Sequence, residues 1–211
     1  MFKSYSPNML KTFQLCPKKF HLKYTKGISM PVNDEIFEQG KNIHALASYY
    51  LRKENIDKME LALSLQEKMI WDYLKNIKYF SYEFVNSEYN LSVKVGEYFF
   101  GGRLDALVKK DETYYILDYK TGSAPKNAKY DYQTMIYSLA VKEFFKTNNV
   151  NFVYIDLKNK TEVCIELTDD LIKEYETKLL DIADKIKTED FVTKDNCNKT
   201  SADCEYGIIC Y

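Results

Sequence analysis

Apolar and polar residues alternate through the middle of the chain and recur at helical spacing on either side. In Glu88-Tyr89-Asn90-Leu91-Ser92-Val93-Lys94-Val95 the period is two, with Leu91, Val93 and Val95 on one face, which predicts a strand. Gly96-Glu97 reads as a turn and Tyr98 to Val108 as a second strand. Lys109-Lys110-Asp111-Glu112 then reads as a polar turn. Tyr114 to Tyr119 follows as a third strand, almost continuously apolar and so buried. Three consecutive strands on short turns predict an antiparallel meander.

The flanks read as helices. Ser6-Pro7 is an N-cap followed by proline at the first helical position, and a short helix runs from there to about Cys16-Pro17. Residues 18–33 look irregular. A helix over about 34–54 carries Gly40 and His44, and another over about 57–78 sets Leu61, Leu65, Met69 and Ile70 on one face. After the loop Lys120-Thr121-Gly122-Ser123-Ala124-Pro125 come a helix over about 127–147, strands at 150–157 and 161–167, and a helix capped by Thr168-Asp169-Asp170 that runs to about 187. The tail from 189 onward is polar, Cys-containing and without regular pattern.

Composition narrows the class. A chain of 211 residues with 45% hydrophobic residues is long enough to bury a core and too apolar for wholesale disorder. The formal net charge of -1 argues against a large non-specific nucleic-acid surface, while leaving room for a local basic groove beside an acidic site. Arginine is confined to Arg52 and Arg103, a usage read as genome composition. No apolar run of about 18 residues appears, and the N-terminus has no signal-peptide apolar region. The expectation is a soluble, cytoplasmic protein of bacterial, archaeal or phage origin with reduced thiols.

The candidate chemistry lies in the meander. Asp118 and Lys120, two apart in the third strand, share a face, and the hairpin brings Asp105 of Gly101-Gly102-Arg103-Leu104-Asp105 beside them. Two carboxylates among apolar neighbours repel each other, and burying them is costly. A divalent cation with hard oxygen ligands, Mg²⁺ or Mn²⁺, resolves both problems and acidifies a bound water. Lys120 would orient that water or offset negative charge on a phosphoryl group. The plain alternative is an Asp118–Lys120 ion pair at a solvated strand edge.

These residues resemble the PD-(D/E)XK nuclease superfamily, in particular its RecB-like branch, which includes CRISPR-associated RecB-like exonucleases and AddB-type nuclease domains. Asp105 matches the first metal-binding acid, and Asp118 with Lys120 matches the (D/E)-X-K element. Gln133-Thr134-Met135-Ile136-Tyr137 is similar to the branch's Gln-x-x-x-Tyr motif, and Gly40-Lys41-Asn42-Ile43-His44 to its helical Gly-x-x-x-His motif. Glu88 resembles the acid that opens the first strand in some members. The resemblance implies metal ligation by His44, Asp105, Asp118 and the Tyr119 backbone carbonyl, with Gln133 and Tyr137 positioning a strand or the ligands. The motifs follow one another in matching order over nearly the whole chain.

The resemblance also gives meaning to the cysteines. Cys16 near the start and Cys197, Cys204 and Cys210 at the end match the distribution in iron–sulfur members of the branch, where four cysteines hold a [4Fe–4S] cluster that staples the termini. Six residues separate Cys197 from Cys204, a longer gap than in many members, and Zn²⁺ is the alternative for these thiolates. Cys164 reads as a packed strand residue.

The expected architecture is therefore a single α/β domain over 1–211 with an αβββαβ core: a mainly helical part at 1–80, a catalytic core at 81–188, and a tail at 189–211 joined to Cys16. The expected activity is metal-dependent hydrolysis of single-stranded or free-ended DNA, by exonuclease action, in recombination, repair, CRISPR adaptation or phage DNA processing. Expected partners are DNA and an integrase, helicase or recombination protein, with no membrane. A non-catalytic DNA-binding or scaffolding subunit that keeps the nuclease fold is the alternative, and the near-neutral charge favours it.

Overall fold

The computed structural model describes residues 4–30, 35–191 and 204–210. At its centre is a five-stranded sheet in the order β1-β2-β3-β4-β5, formed by Glu83–Val95, Tyr98–Lys110, Thr113–Lys120, Val150–Asp156 and Thr161–Glu166. The meander β1–β2–β3 is antiparallel, as expected. β3 and β4 are parallel, joined across the helix α6, Tyr132–Phe145, and β5 returns antiparallel. The αβββαβ order read from the pattern is present, with β5 and the helix α7, Asp169–Thr188, added after it.

Each sheet face buries its own apolar core. One core joins Phe100, Leu107, Ile116, Phe152 and Tyr154 to α6, α7 and the helices α1, Pro7–Leu15, and α2, Pro17–Phe20. α7 serves it with Leu171, Tyr175, Leu179, Ile182 and Ile186, an apolar stripe of helical period capped by Thr168, whose Oγ1 accepts the Leu171 N–H at 3.3 Å. The opposite core joins Ala106, Val108, Leu117, Val153 and Ile155 to the helix α3, Glu35–Leu51, through Ile43, Leu46 and Ala47, and to Trp71 and Leu74. Among the described residues no helix is long and apolar enough to cross a membrane.

Three local expectations are corrected. The stretch taken as irregular from residue 18 is helical: Cys16 caps α2 by accepting the Lys19 N–H on Sγ at 3.4 Å, and a π turn follows over His21–Thr25. Cys16-Pro17 repeats the cap-then-proline signal of Ser6-Pro7; residues 31–34 lie outside the described residues. The helix expected over 57–78 is two helices, α4, Asp57–Ala62, and α5, Leu65–Leu74. Ser64 and Glu67 form a capping box, with the Ser64 N–H donating to the Glu67 carboxylate at 2.8 Å and the Glu67 N–H donating to the Ser64 hydroxyl at 3.3 Å, which restarts the chain. The phase therefore changes, so Leu61 and Leu65 are 80% and 77% exposed while Trp71 and Leu74 enter the core. Cys164 is exposed, because β5 is an edge strand whose residues face solvent apart from the half-buried Ile165.

The change of phase has a measurable consequence. Leu65→Lys is expected to shift unfolding free energy by no more than about 0.5 kcal/mol, whereas Trp71→Ala is expected to cost about 3–5 kcal/mol. Urea unfolding of both variants checks this; comparable losses would contradict the split helix.

Candidate metal and nucleic-acid site

The site forms where β2 and β3 part. Their ladder runs from Lys110 opposite Thr113 to Ala106 opposite Leu117 and goes no further. Beyond that pair the Tyr119 N–H donates to the Asp105 carboxylate at 2.8 Å, so a side chain takes the place of the next strand contact. The other half of β2 turns to different neighbours, with Tyr5 bridging to Phe100. The apolar residues change allegiance at the same point: Leu104 belongs to the core under α6, and Ala106 to the core under α3.

β1 turns over in step. The Ser87 and Ser48 hydroxyls meet at 2.7 Å on the α3 side, yet Tyr89, two residues on, packs against the α6 core. Glu88 between them has φ +51°, a left-handed conformation inside a strand. Strain of this kind costs on the order of 1–3 kcal/mol in a non-glycine residue and concentrates at functional positions. Here it aims Glu88 toward Asp105. His44 Nδ1 on α3 lies 3.4 Å from Asp105 Oδ1, and His44, Glu88 and Asp105 each offer a ligand atom within 4.8 Å of one another.

Asp118 stands beside this trio and outside it. It is 4% exposed, faces α6, and accepts the Gln133 amide N–H on Oδ1 at 2.9 Å. Its Oδ2 meets the Lys120 ammonium at 2.7 Å as an ion pair. Burial, with Asp105 adding to it, pushes the Asp118 carboxyl up to about 7 against the opposing pull of Lys120. Burial pulls His44 down, but the hydrogen bond to Asp105 and the surrounding carboxylates outweigh it, so the imidazole lies above its usual value. The Asp118–Lys120 pair anticipated as the plain alternative exists, with Asp118 buried under α6 and Lys120 half-buried at the cleft.

Gln133 couples the acid and the base. Its Oε1 accepts from Lys120 at 2.9 Å and from Lys11 at 3.4 Å, which orients the amide N–H onto Asp118. Lys11 of α1 also pairs with Asp131, the N-cap of α6, at 2.7 Å. No short motif surrounds Lys11, so its part was invisible in the sequence. Tyr137, one turn on from Gln133, donates its hydroxyl to the Arg103 carbonyl at 3.1 Å. Gly102 makes room for it, since a Cβ there would sit 2.7 Å from that hydroxyl oxygen. Buried Tyr119 stacks edge-on against His44 at 5.3 Å. The structure thus brings together His44, Glu88, Asp105, Asp118, Lys120, Gln133 and Tyr137, and adds Lys11.

A cleft of about 670 Å³ opens over the trio, walled by α3 on one side and by Lys120, Thr121 and Gly122 on the other. A profile of the PD-(D/E)XK nuclease superfamily matches residues 4–211. The chain belongs to the PD-(D/E)XK nuclease superfamily. The CRISPR-associated exonuclease Cas4 of Francisella tularensis subsp. novicida is 28% identical over 123 residues, which are 58% of this chain and 61% of that protein. The match thus spans about three-fifths of that relative's length. A crystal structure from Eubacterium rectale, an exonuclease by provisional assignment, superposes with a TM-score of 0.57 at 12% identity, covering 88% of this chain and 81% of that one, and shows the shared fold. The superfamily and the α/β core read from the sequence are borne out.

The terminal cysteines stand apart from this cleft. Cys16, Cys204 and Cys210 are each half-buried, and Cys197 lies outside the described residues. The chain end does return to the segment that follows Cys16: Tyr206 is buried and donates its hydroxyl to the Ile28 carbonyl at 2.8 Å, and Glu205 pairs with Lys19 at 3.1 Å.

Asparagine tolerates a left-handed φ but lacks the carboxylate charge. In calorimetric titration Glu88→Asn is therefore expected to weaken Mn²⁺ binding by more than about tenfold, with thermal unfolding little changed. Unaltered affinity would remove Glu88 from the cation site.

Proposed function

We propose that this chain is a divalent-metal-dependent deoxyribonuclease that hydrolyses phosphodiester bonds of single-stranded or free-ended DNA, with exonuclease action. The observation that carries this reading is the pair of buried Asp118 with half-buried Lys120, set beside the His44–Glu88–Asp105 trio, with Lys120 and the trio lining one cleft. One imidazole nitrogen with carboxylate oxygens is a donor set that fits Mn²⁺ or Mg²⁺. His44, Asp105 and Asp118 are the proposed holders of one or two such ions, Glu88 joins them on geometry, and the Tyr119 carbonyl joins them by resemblance. When bound, the ion supplies a water of lowered pKa and positive charge for the phosphoryl oxygens.

The remaining work falls to the chain's own groups. Lys120 Nζ lies between Asp118 and Gln133, from which it can hydrogen-bond the attacking water or offset charge on the phosphoryl group. Gln133 keeps Lys120 and Asp118 in register, so that neither side chain swings away when the cleft is empty of substrate. Tyr137 holds the β2 backbone at Arg103, two residues before Asp105, and so fixes the strand from which that acid projects.

Around this centre we place the wider reading. Similarity to a CRISPR-associated exonuclease supports CRISPR adaptation among the roles, beside recombination, repair and phage DNA processing, with an integrase, helicase or recombination protein as partner. Cys16, Cys197, Cys204 and Cys210 are proposed to hold a [4Fe–4S] cluster, a reading supported by the contacts of Glu205 and Tyr206 with the segment after Cys16.

Lys120→Ala is expected to lower Mn²⁺-dependent cleavage of labelled DNA by about 10²–10³-fold while circular dichroism shows an intact fold; equal activity in the variant would end the mechanism. Anaerobically purified protein is expected to be brown and to contain iron and acid-labile sulfide in equal amounts. Colourless protein carrying stoichiometric zinc would replace the cluster by the Zn²⁺ alternative.

A further inference from the structure

Of the 30 lysines and arginines in the chain, only Arg52 and Arg103 are arginines, and both line the cleft above the trio. The sequence uses lysine at every other such position and places a guanidinium at these two, and they face one space. Lysine and arginine carry the same charge, so charge alone does not account for the choice. What arginine adds is a flat, weakly hydrated plane that stacks on rings and a fork that grips phosphate.

The surroundings of Arg52 use that plane. Its guanidinium carbon lies 4.7 Å from the centre of the Tyr49 ring, and its Nε pairs with Glu54 at 3.0 Å, which fixes its tilt. Tyr49 and Tyr50 are almost equally exposed, at 37% and 38%, but they differ in what they touch. Tyr50 is committed to packing, edge-on to Trp71 at 5.3 Å and stacked near Phe80 at 5.9 Å. Tyr49 lines the cleft and stacks with Arg52. His44 and Ser48 fall at i and i+4 on α3, and Arg52 follows at i+8, one residue past its end with its N–H still donating to the Ser48 carbonyl at 3.2 Å, so one stripe runs from the trio to the platform. Eight residues of helix span about 12 Å. Between them the wall is made of Ala45 and Ser48, whose small side chains leave the path open. Arg103, with its side chain 64% exposed, stands at the other edge of the same space, tethered to Glu88 at 3.0 Å.

We propose that the Tyr49–Arg52 platform is a base-stacking subsite for single-stranded nucleic acid, holding a nucleotide further along the strand from the one at the His44–Glu88–Asp105 trio. It rests on the nuclease reading for the direction of the strand, since the platform binds a strand whose phosphate is presented to the trio. Stacking requires an unpaired base, so the platform selects single strands or frayed ends over intact duplex. It is tolerant of base identity, because every base has a π-face. Arg103 meets the strand's phosphates from the opposite wall.

The test is fluorescence anisotropy with a labelled oligothymidine of about 12 nucleotides, in the Lys120→Ala background so that the strand stays intact. Arg52→Lys, which keeps the charge, and Tyr49→Leu are each expected to weaken binding by about 5- to 100-fold. An abasic strand of the same length and charge should bind the parent and Arg52→Lys alike. In the active chain, the Arg52→Lys loss should fall on KM and not on kcat. Thermal unfolding of both variants guards against misfolding, and Arg52→Lys decides if Tyr49→Leu is unstable. Unchanged oligothymidine binding by Arg52→Lys, or an equal loss on the abasic strand, overturns the platform. A chain that cleaves DNA while Arg52→Lys binds normally loses the platform alone; one that never cleaves while Arg52→Lys binds poorly loses the nuclease reading alone.

Discussion

The hydrogen bond from the Tyr119 N–H to the Asp105 carboxylate is the contact on which this site depends. A strand that leaves its partner exposes backbone groups that must be satisfied, and a buried N–H without an acceptor costs as much as a lost hydrogen bond. Asp105 supplies that acceptor with a charged oxygen, which is stronger than a neutral one. β2 and β3 can therefore part after Ala106 and Leu117 without stranding the amide, and the gap between them is what lets α3 and α6 reach the same point from opposite faces of the sheet. The acid that closes the backbone account is the acid that the trio shares.

Two opposed electrostatic tendencies meet at that point. Asp118 is sealed from water, which disfavours its charge, while Lys120 and the Gln133 amide favour it. Asp105, Glu88 and His44 lie toward the open cleft, where negative charge gathers without a lysine among the three. One part of the site is internally neutralised and fixed; the other, with Glu88 tethered to Arg103 and Asp105 beside His44, faces the cleft. That division makes the outer trio the readier place for a cation, with Asp118 adjoining it from the inner side. Gln133 binds the two together, and Lys11 holds Gln133 from α1, so the N-terminal helices are tied to the chemistry and are more than a cover for the sheet.

Much of this was legible in the chain. The period-two pattern of β1 and the short turns between three successive strands announced the meander, and short motifs in order named His44, Asp105, Asp118, Lys120, Gln133 and Tyr137. Other features were hidden for physical reasons. Glu88 was matched to the first-strand acid of the resemblance, but the left-handed φ that brings it into the trio is announced by no local pattern. Lys11 reaches Gln133 across 122 positions of sequence, by tertiary packing alone. The break between α4 and α5 was written in Ser64 and Glu67, but the apolar run through Leu61, Leu65 and Met69 imitated one continuous helix. The two arginines, 51 positions apart in a lysine-rich chain, share one cleft only through tertiary folding.

The most direct test of the account is where a cation binds. Crystals grown or soaked in Mn²⁺ should show one anomalous peak in bonding distance of an Asp105 carboxylate oxygen, with His44 and Glu88 beside it and Lys120 still paired to Asp118 or turned toward the same water. A manganese peak remote from Asp105, or none at saturating Mn²⁺ with the Tyr119–Asp105 hydrogen bond intact, would contradict it.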